Sequence, residues 1–257
     1  MRMILGVVDR EGIKEVLLWA KDWKGAFTLL RFHPTQSRLF ALGLACGLTT
    51  ICPCGNFGWV GTPYAFNVVS RTLDVITEHT IEGAGLWYVD DLNACSNRRT
   101  VESDMSRVDE EVRTLLGPVS VAAEKDKSGR QLDMIGWLID LDAQLVTISD
   151  RDFNKTLHAF FSFNIVDPVT LHQVQVMASL ASRYTQIIVL LKVHVGALYQ
   201  FQQSFPSHSA CRRLPESARV EVLLWRAFLL SLSVNPASFA RPFQSFRVSA
   251  GISYDRR

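Results

Sequence analysis

Two adjacent carboxylates, Asp90 and Asp91, close the stretch Tyr88-Val89-Asp90-Asp91, with Gly83-Ala84-Gly85-Leu86-Trp87 before it and Leu92-Asn93-Ala94-Cys95-Ser96-Asn97 after it. A short apolar run that ends in two acids and then turn-forming residues reads as a β-hairpin with an acidic tip. Consecutive strand residues point to opposite faces, so a double Asp is a poor choice for routine packing. At a hairpin tip, one carboxylate can face a metal while its neighbour adds negative potential. Tyr88 and Asp90, two apart, share a face and set a ring beside the acid. Hard divalent cations such as Mg²⁺ take oxygen ligands, usually one or two carboxylates plus substrate phosphates. The competing reading is an ordinary Asp-rich surface turn.

A second acid needs its own platform. Residues 15–20 (EVLLWA) are a compact apolar run followed directly by Lys21-Asp22-Trp23-Lys24-Gly25-Ala26-Phe27. They predict a buried strand with Asp22 near its C-terminal end; a helix N-cap is the other role open to Asp22. Residues 39–50 and 51–54 predict a short strand pair around Cys46-Gly47. Asn56-Phe57-Gly58-Trp59-Val60-Gly61-Thr62-Pro63 is a glycine-rich turn opening a helix, with Thr62 suited to the N-cap and Pro63 to the first helical position. Phe66, Val69, Leu73 and Ile76 give that helix its buried face. Glycines there let backbone approach a ligand, and a helix N-terminus favours anions.

Beyond the acidic hairpin, residues 101–116 predict an amphipathic helix closed by Gly117-Pro118, and residues 119–123 are strand-like. Residues 124–130 (EKDKSGR) read as a charged, solvated loop. Residues 132–139 and 144–148 predict a hairpin around residues 140–143. From residue 150 the pattern turns helical: 152–163, then 170–199 with a break near Gln186, then 216–232. Residues from Ser233 onward carry no clear period.

With 257 residues, 48% of them hydrophobic and 20% charged, the chain has the composition of an ordinary globular protein with a sizeable core. Its net charge of +2 is unevenly spread. Residues 151–257 hold 12 Lys/Arg against 5 Asp/Glu, which is +7, and the remaining 15 basic and 20 acidic residues leave −5 for residues 1–150. An acidic half joined to a basic half suits a protein that handles a polyanion; a merely solvated basic surface is the plainer reading. Five cysteines, an odd number, with no secretory signal argue against a disulfide framework and for a reducing, intracellular compartment. Cys46, Cys52 and Cys54 lack a second ligand pair at zinc spacing. No apolar run reaches membrane-spanning length, so no membrane partner is expected.

In order along the chain, Asp22-Trp23-Lys24-Gly25-Ala26-Phe27, Phe57-Gly58-Trp59-Val60-Gly61-Thr62-Pro63, Tyr88-Val89-Asp90-Asp91, Lys125/Lys127 and Ile135-Gly136-Trp137 together resemble the palm of reverse transcriptases. The likeness is to retroelement enzymes of the LTR or tyrosine-recombinase type. It covers roughly residues 15–150. The later helices, with Leu180-Ala181-Ser182-Arg183-Tyr184 and Ala197-Leu198-Tyr199, look like the thumb or connection of such enzymes. Those enzymes carry a fingers subdomain ahead of the first acid, and only 21 residues precede Asp22. The chain is therefore expected to be an N-terminally truncated fragment, one piece of a longer retroelement polyprotein.

The resemblance implies an α+β fold: a right-hand polymerase palm, with a small antiparallel sheet backed by helices, followed by a helical thumb- or connection-like region. The implied divisions are 1–14 (remnant of the lead-in), 15–150 (palm with primer-grip hairpin), 151–232 (thumb- or connection-like helices) and 233–257 (irregular tail). It implies RNA-directed DNA polymerisation, with Asp22 and Asp90 bridging two Mg²⁺ ions, or Mn²⁺, and Asp91 in support. Partners would be an RNA/DNA template-primer and deoxynucleoside triphosphates. Phe27 matches the aromatic gate beneath the incoming sugar. Phe57, Gly58 and the helix after them resemble the segment packed on the nascent base pair, with Tyr88 beside the acids. Lys127 or Lys125 resembles the lysine that protonates departing pyrophosphate, and the hairpin through Met134, Ile135, Gly136 and Trp137 resembles the primer grip. The alternative is a catalytically inactive remnant that keeps the fold and nucleic-acid affinity.

Overall fold

The computed structural model describes residues 1–37, 40–43, 45–55, 61–235 and 239–248. The chain packs as two units, Met1–Ile135 with Asp140–Ala143, and Gly136–Ile139 with Gln144–Ser249. In the first, helix α1 (Arg2–Glu11) leads into strand β1 (Val16–Asp22). Short helices α2 (Ala26–Leu29) and α3 (Pro34–Ser37) and the strand pair β2 (Ala41–Gly43) and β3 (Thr49–Ile51) follow. Then come α4 (Gly61–Thr80), β4 (Ala84–Tyr88), β5 (Asp91–Asn97), α5 (Val101–Leu116), β6 (Lys127–Gly129) and β7 (Gln131–Met134). The main sheet has the order β4-β5-β1-β6 and is antiparallel throughout.

Alternation along β1 and β5 explains what each sheet face carries. Trp19, Leu92, Ala94 and Trp87 lie in one core with Phe66 and Leu73 of α4 and Val101, Val108 and Val112 of α5. A chain of hydrogen bonds ties together several of the core's polar groups. Trp19 Nε1 donates to Ser96 Oγ at 3.0 Å, and that hydroxyl donates to Asp104 at 2.6 Å. The fully buried Asp104 also accepts from the backbone N–H of Glu82 and Gly83 at 3.1 and 3.2 Å. This carboxylate fixes the entry into β4 from α5. Val16, Leu18 and Cys95 lie on the opposite face of the sheet, and α1, with Ile4, Leu5 and Val7 buried, packs on its strands.

The second unit holds β8 (Trp137–Asp140), β9 (Leu145–Ile148), α6 (Asp150–Phe161), β10 (Val169–Thr170), α7 (Leu171–Ile187), α8 (Gly196–Gln203), β11 (Cys211–Arg212), α9 (Glu216–Val234), β12 (Arg241–Pro242) and α10 (Gln244–Val248). Ser149 caps α6, and Thr170 with Gln173 forms a reciprocal capping box on α7. Tyr184, Trp225 and Phe160 meet at the centre, with Trp225 ring contacts at 5.7 and 5.9 Å. Glu221 of α9 accepts from the Ala197 and Leu198 N–H groups, both at 3.0 Å, satisfying the start of α8. No described helix is long and apolar enough to cross a membrane, and no cysteines are joined by a disulfide.

Several local expectations change. Helix α4 starts at Gly61, so Thr62 lies inside it, fully buried, and its hydroxyl finds no partner among the described residues. Residues 119–123 are not a strand: Val121 makes one isolated bridge to Trp23, and Ala123–Lys125 is a 3₁₀ turn. The charged residues 124–130 are not simply loop, because Lys127–Gly129 pairs with β1 as an edge strand. Residues 132–139 are not one strand either. A tight turn with Ile135 at φ 54° and Gly136 at φ 81° breaks them into β7 and β8. The irregular tail contains β12, paired with β9. The α5 boundaries match the expectation, as does the helical run broken near residue 187.

Candidate active site

Strand β1 ends where β5 begins, and the register sets Asp22 directly opposite Asp91. Tyr88 is the partner of Asp91 on its other side. The β4–β5 turn is therefore Val89-Asp90, one residue earlier than the expected acidic tip, with Asp91 already in the ladder. That changes the parity: Tyr88 is across from Asp91 and does not share a strand face with Asp90. Val89 adopts φ 58°, a left-handed conformation that a β-branched residue rarely takes. Ser70 of α4 donates its hydroxyl to Val89 O at 2.6 Å, which helps hold the strained turn.

The charges at this corner are unbalanced. Loss of surrounding water, then the neighbouring Asp90 and Asp22, pushes Asp91 up to about 6, with Lys125 and Lys127 opposing the shift. Asp90 is raised by desolvation and by Asp22. The 3₁₀ turn at Ala123–Lys125 brings the Lys125 ammonium onto Asp22 Oδ2. Lys125 is raised in turn by its hydrogen bond to Asp22 and by the charge of that carboxylate. Lys127 stands two residues on, exposed, opposite Ala20 in the β6–β1 ladder.

The remaining sequence-derived candidates are spread more widely. Phe27 is half-buried at the core edge, its ring 5.7 Å from Phe66. Phe57 and Gly58 lie outside the described residues. Tyr88 is 58% exposed beside the acids. Met134 is buried at the end of β7, Ile135 and Gly136 form the tight turn, and half-buried Trp137 opens β8. Gly136 is held closely: a Cβ there would stand 2.2 Å from Asp152 Oδ2 and 2.7 Å from Arg183 Nη1, two groups paired at 2.5 Å.

One group near the acids escaped the sequence reading. Lys21, 4% exposed, pairs with Asp109 of α5 at 2.8 Å and Asp126 at 2.5 Å. The signal was present in the strand parity, since Leu17, Trp19 and Lys21 alternate onto the core side, where a lysine requires partners.

Asp22, Asp90 and Asp91 offer hard oxygen donors with excess negative charge, the chemistry a divalent cation answers. Among the described residues, no three or more His, Cys, Asp or Glu form a ready metal cluster. A facing carboxylate pair fits Mg²⁺, which is commonly completed by substrate phosphates and water, better than it fits a metal needing an all-protein cage.

No protein-family model matches the chain, and no curated protein matches it. Among solved structures, it is similar to the foamy viral protease-reverse transcriptase in complex with an RNA/DNA hybrid (15% identity, TM-score 0.53, covering 83% of this chain and 27% of that one). It is similar to the same enzyme's dRH form in complex with double-stranded DNA (14%, TM-score 0.56, 83% and 35%) and to a further double-stranded DNA complex (15%, 0.53, 84% and 42%). The chain thus spans between 27% and 42% of the length of these proteins. At such identities the likeness speaks of fold alone. This chain has an α+β, polymerase-like fold with small antiparallel sheets, similar to that of reverse transcriptases.

Proposed function

We propose that this chain carries the palm and thumb of an RNA-directed DNA polymerase that transfers deoxynucleotides to a primer 3′-hydroxyl on an RNA or DNA template. The observation that carries the reading is the register of β1 on β5. It brings acids nearly seventy positions apart in sequence face to face at the open end of a polymerase-like sheet, with a lysine on one of them. Asp22 and Asp91, with Asp90 beside them, would hold Mg²⁺ or Mn²⁺. Bound cations would acidify the primer hydroxyl and neutralise the triphosphate. Lys125, held at Asp22, is placed to give a proton to the departing pyrophosphate; Lys127 is the other candidate. A positioned general acid of this kind contributes about 10²- to 10⁴-fold. Phe27 would exclude a 2′-hydroxyl by bulk, and the Met134–Trp137 turn would hold the primer end.

In the second unit, Arg151, Lys155, His158 and His172 line a groove of about 1040 Å³ beside α6 and α7. The lining is largely apolar, and Arg151 and Lys155 are the cations there that would meet the phosphates of a nucleic-acid duplex, the kind of partner bound in the similar structures. The further domains of a retroelement polyprotein belong to the same reading.

The test is primer extension on an RNA template with Mg²⁺ and deoxynucleotides. The wild type is compared with Asp22→Asn and with the Asp90→Ala/Asp91→Ala double variant. Extension that falls at least about 10²-fold in both variants supports the assignment. Equal extension by all three refutes it. Salt-sensitive duplex binding without any extension would instead favour the inactive remnant.

A further inference from the structure

Two neighbouring residues of β1 grip two neighbouring residues of the turn that follows α5, with the charges reversed. Asp22 takes Lys125, and Lys21 takes Asp126 at 2.5 Å. Consecutive strand side chains leave on opposite faces, so the two pairs hold the turn from both sides of the strand. The pairs differ in kind. Lys125 is 55% exposed and Asp22 26%, whereas Lys21 is 4% exposed and also bonds Asp109 of α5 at 2.8 Å.

Burying a lysine costs much of what its partners return, so an apolar residue would serve the core equally well. The triad is also incompletely satisfied: Asp126 Oδ1 is buried without a partner among the described residues. A poorly optimised buried ion cluster is weak evidence for stability and better explained by what it positions. Asp126 is bonded in sequence to Lys125, and the backbone between them is tied by Lys125 N–H to Ala122 O at 2.9 Å and Asp126 N–H to Ala123 O at 3.2 Å.

Resting on the polymerase reading above, we propose that Lys21 is a positioning residue: through Asp126 it holds Lys125 at the Asp22 carboxylate. Asp109 meets Lys21 from the helix side, where it also pairs with Arg113 at 3.7 Å. The arrangement keeps the Lys125 ammonium within reach of the acids when its own exposed pair with Asp22 is exchanged for another partner. An exposed pair is too weak to do this alone.

The test uses the full chain and a zero-length carbodiimide, which joins an amine to a carboxylate only in contact. The Lys125–Asp22 cross-link is quantified by peptide mass spectrometry. Asp126→Asn is expected to lower its yield about threefold, the scale of an exposed ion pair. Asp109→Asn, which removes an equal charge from the same lysine, leaves the yield unchanged, as does Lys21→Arg. In primer extension, Asp126→Asn lowers the maximal rate without raising the nucleotide KM, and adds nothing to Lys125→Ala. Should Asp126→Asn fail to fold, the all-apolar Lys21→Met/Asp109→Leu/Asp126→Leu replacement removes the clamp without stranding a charge and is expected to show the same loss. An unchanged cross-link in the clamp variants, or an equal loss in Asp109→Asn, overturns the proposal. If no protein extends primers, the polymerase reading fails, and the cross-link yields still decide the positioning role.

Discussion

Neutralising Asp91 should make the metal-free protein more stable at neutral pH, the reverse of what deleting a charged ladder residue usually does. Partial loss of water, with Asp90 and Asp22 beside it, raises Asp91 from 3.8 to about 6. A carboxyl raised on folding binds more protons in the native than in the unfolded state between those values. Stability therefore falls as pH rises through that window and stays lower above it. On a group fully shielded from water, a rise of that size would amount to about 3 kcal/mol. Asp91 is exposed to solvent, and screening reduces this to about 1 kcal/mol. Asp91→Asn should thus gain about 1 kcal/mol at pH 7.5 and nothing at pH 3.5, where the wild-type carboxyl is already protonated. Urea unfolding can be followed by tryptophan emission, to which the buried Trp19, Trp23 and Trp87 of the first unit contribute alongside Trp225 of the second. Mg²⁺ at ten times its Kd should stabilise the wild type by about 1.4 kcal/mol. The variant should respond much less. A variant no more stable at pH 7.5, a gain that persists at pH 3.5, or an undiminished Mg²⁺ response would refute the reasoning.

Three further substitutions test other supports of the site. Gly136→Ala places a Cβ against the Asp152–Arg183 pair at a residue with φ 81°, and should cost about 2–3 kcal/mol in urea unfolding of the second unit. Ile135→Asn should instead stabilise by about 1 kcal/mol, because Asn tolerates the left-handed conformation and Asn-Gly is the preferred pair where both turn residues have positive φ. The same substitution should slow primer extension if the exposed Ile135 side chain serves the primer end. Asp104→Asn turns one of its acceptor oxygens into a donor facing the donors of Gly83 and Ser96, and should destabilise the first unit by about 2–3 kcal/mol, seen as a lower urea midpoint.

What the sequence revealed divides along the range of the interactions involved. Helix α5 was legible to the residue, because its apolar stripe and its Gly117-Pro118 stop are local signals, and Gly117 does take the positive φ that stop implies. Strand β1 was legible as an apolar run, and Asp22 was rightly placed at its end. The acidic turn was legible as a turn but misplaced by one residue. Nothing in propensity favours Val89 at φ 58°; core packing and the Ser70 hydroxyl, nineteen positions earlier, hold it there. The charged segment 124–130 was misread for a related reason. Charge and hydropathy describe it as solvated loop, yet Lys127–Gly129 finds the open edge of β1 and Lys125 finds Asp22. Both partners are about a hundred positions away, which no local window can sense. Lys21 is the instructive case, because period-two parity alone placed a lysine on the core side of a strand. The half-buried acids that answer it, Asp109 and Asp126, lie on an amphipathic helix and in a turn that local reading had assigned to solvent. A charged residue at a position whose periodicity says buried is thus a sequence-level pointer to a long-range partner, and here that partner adjoins the lysine at the candidate site.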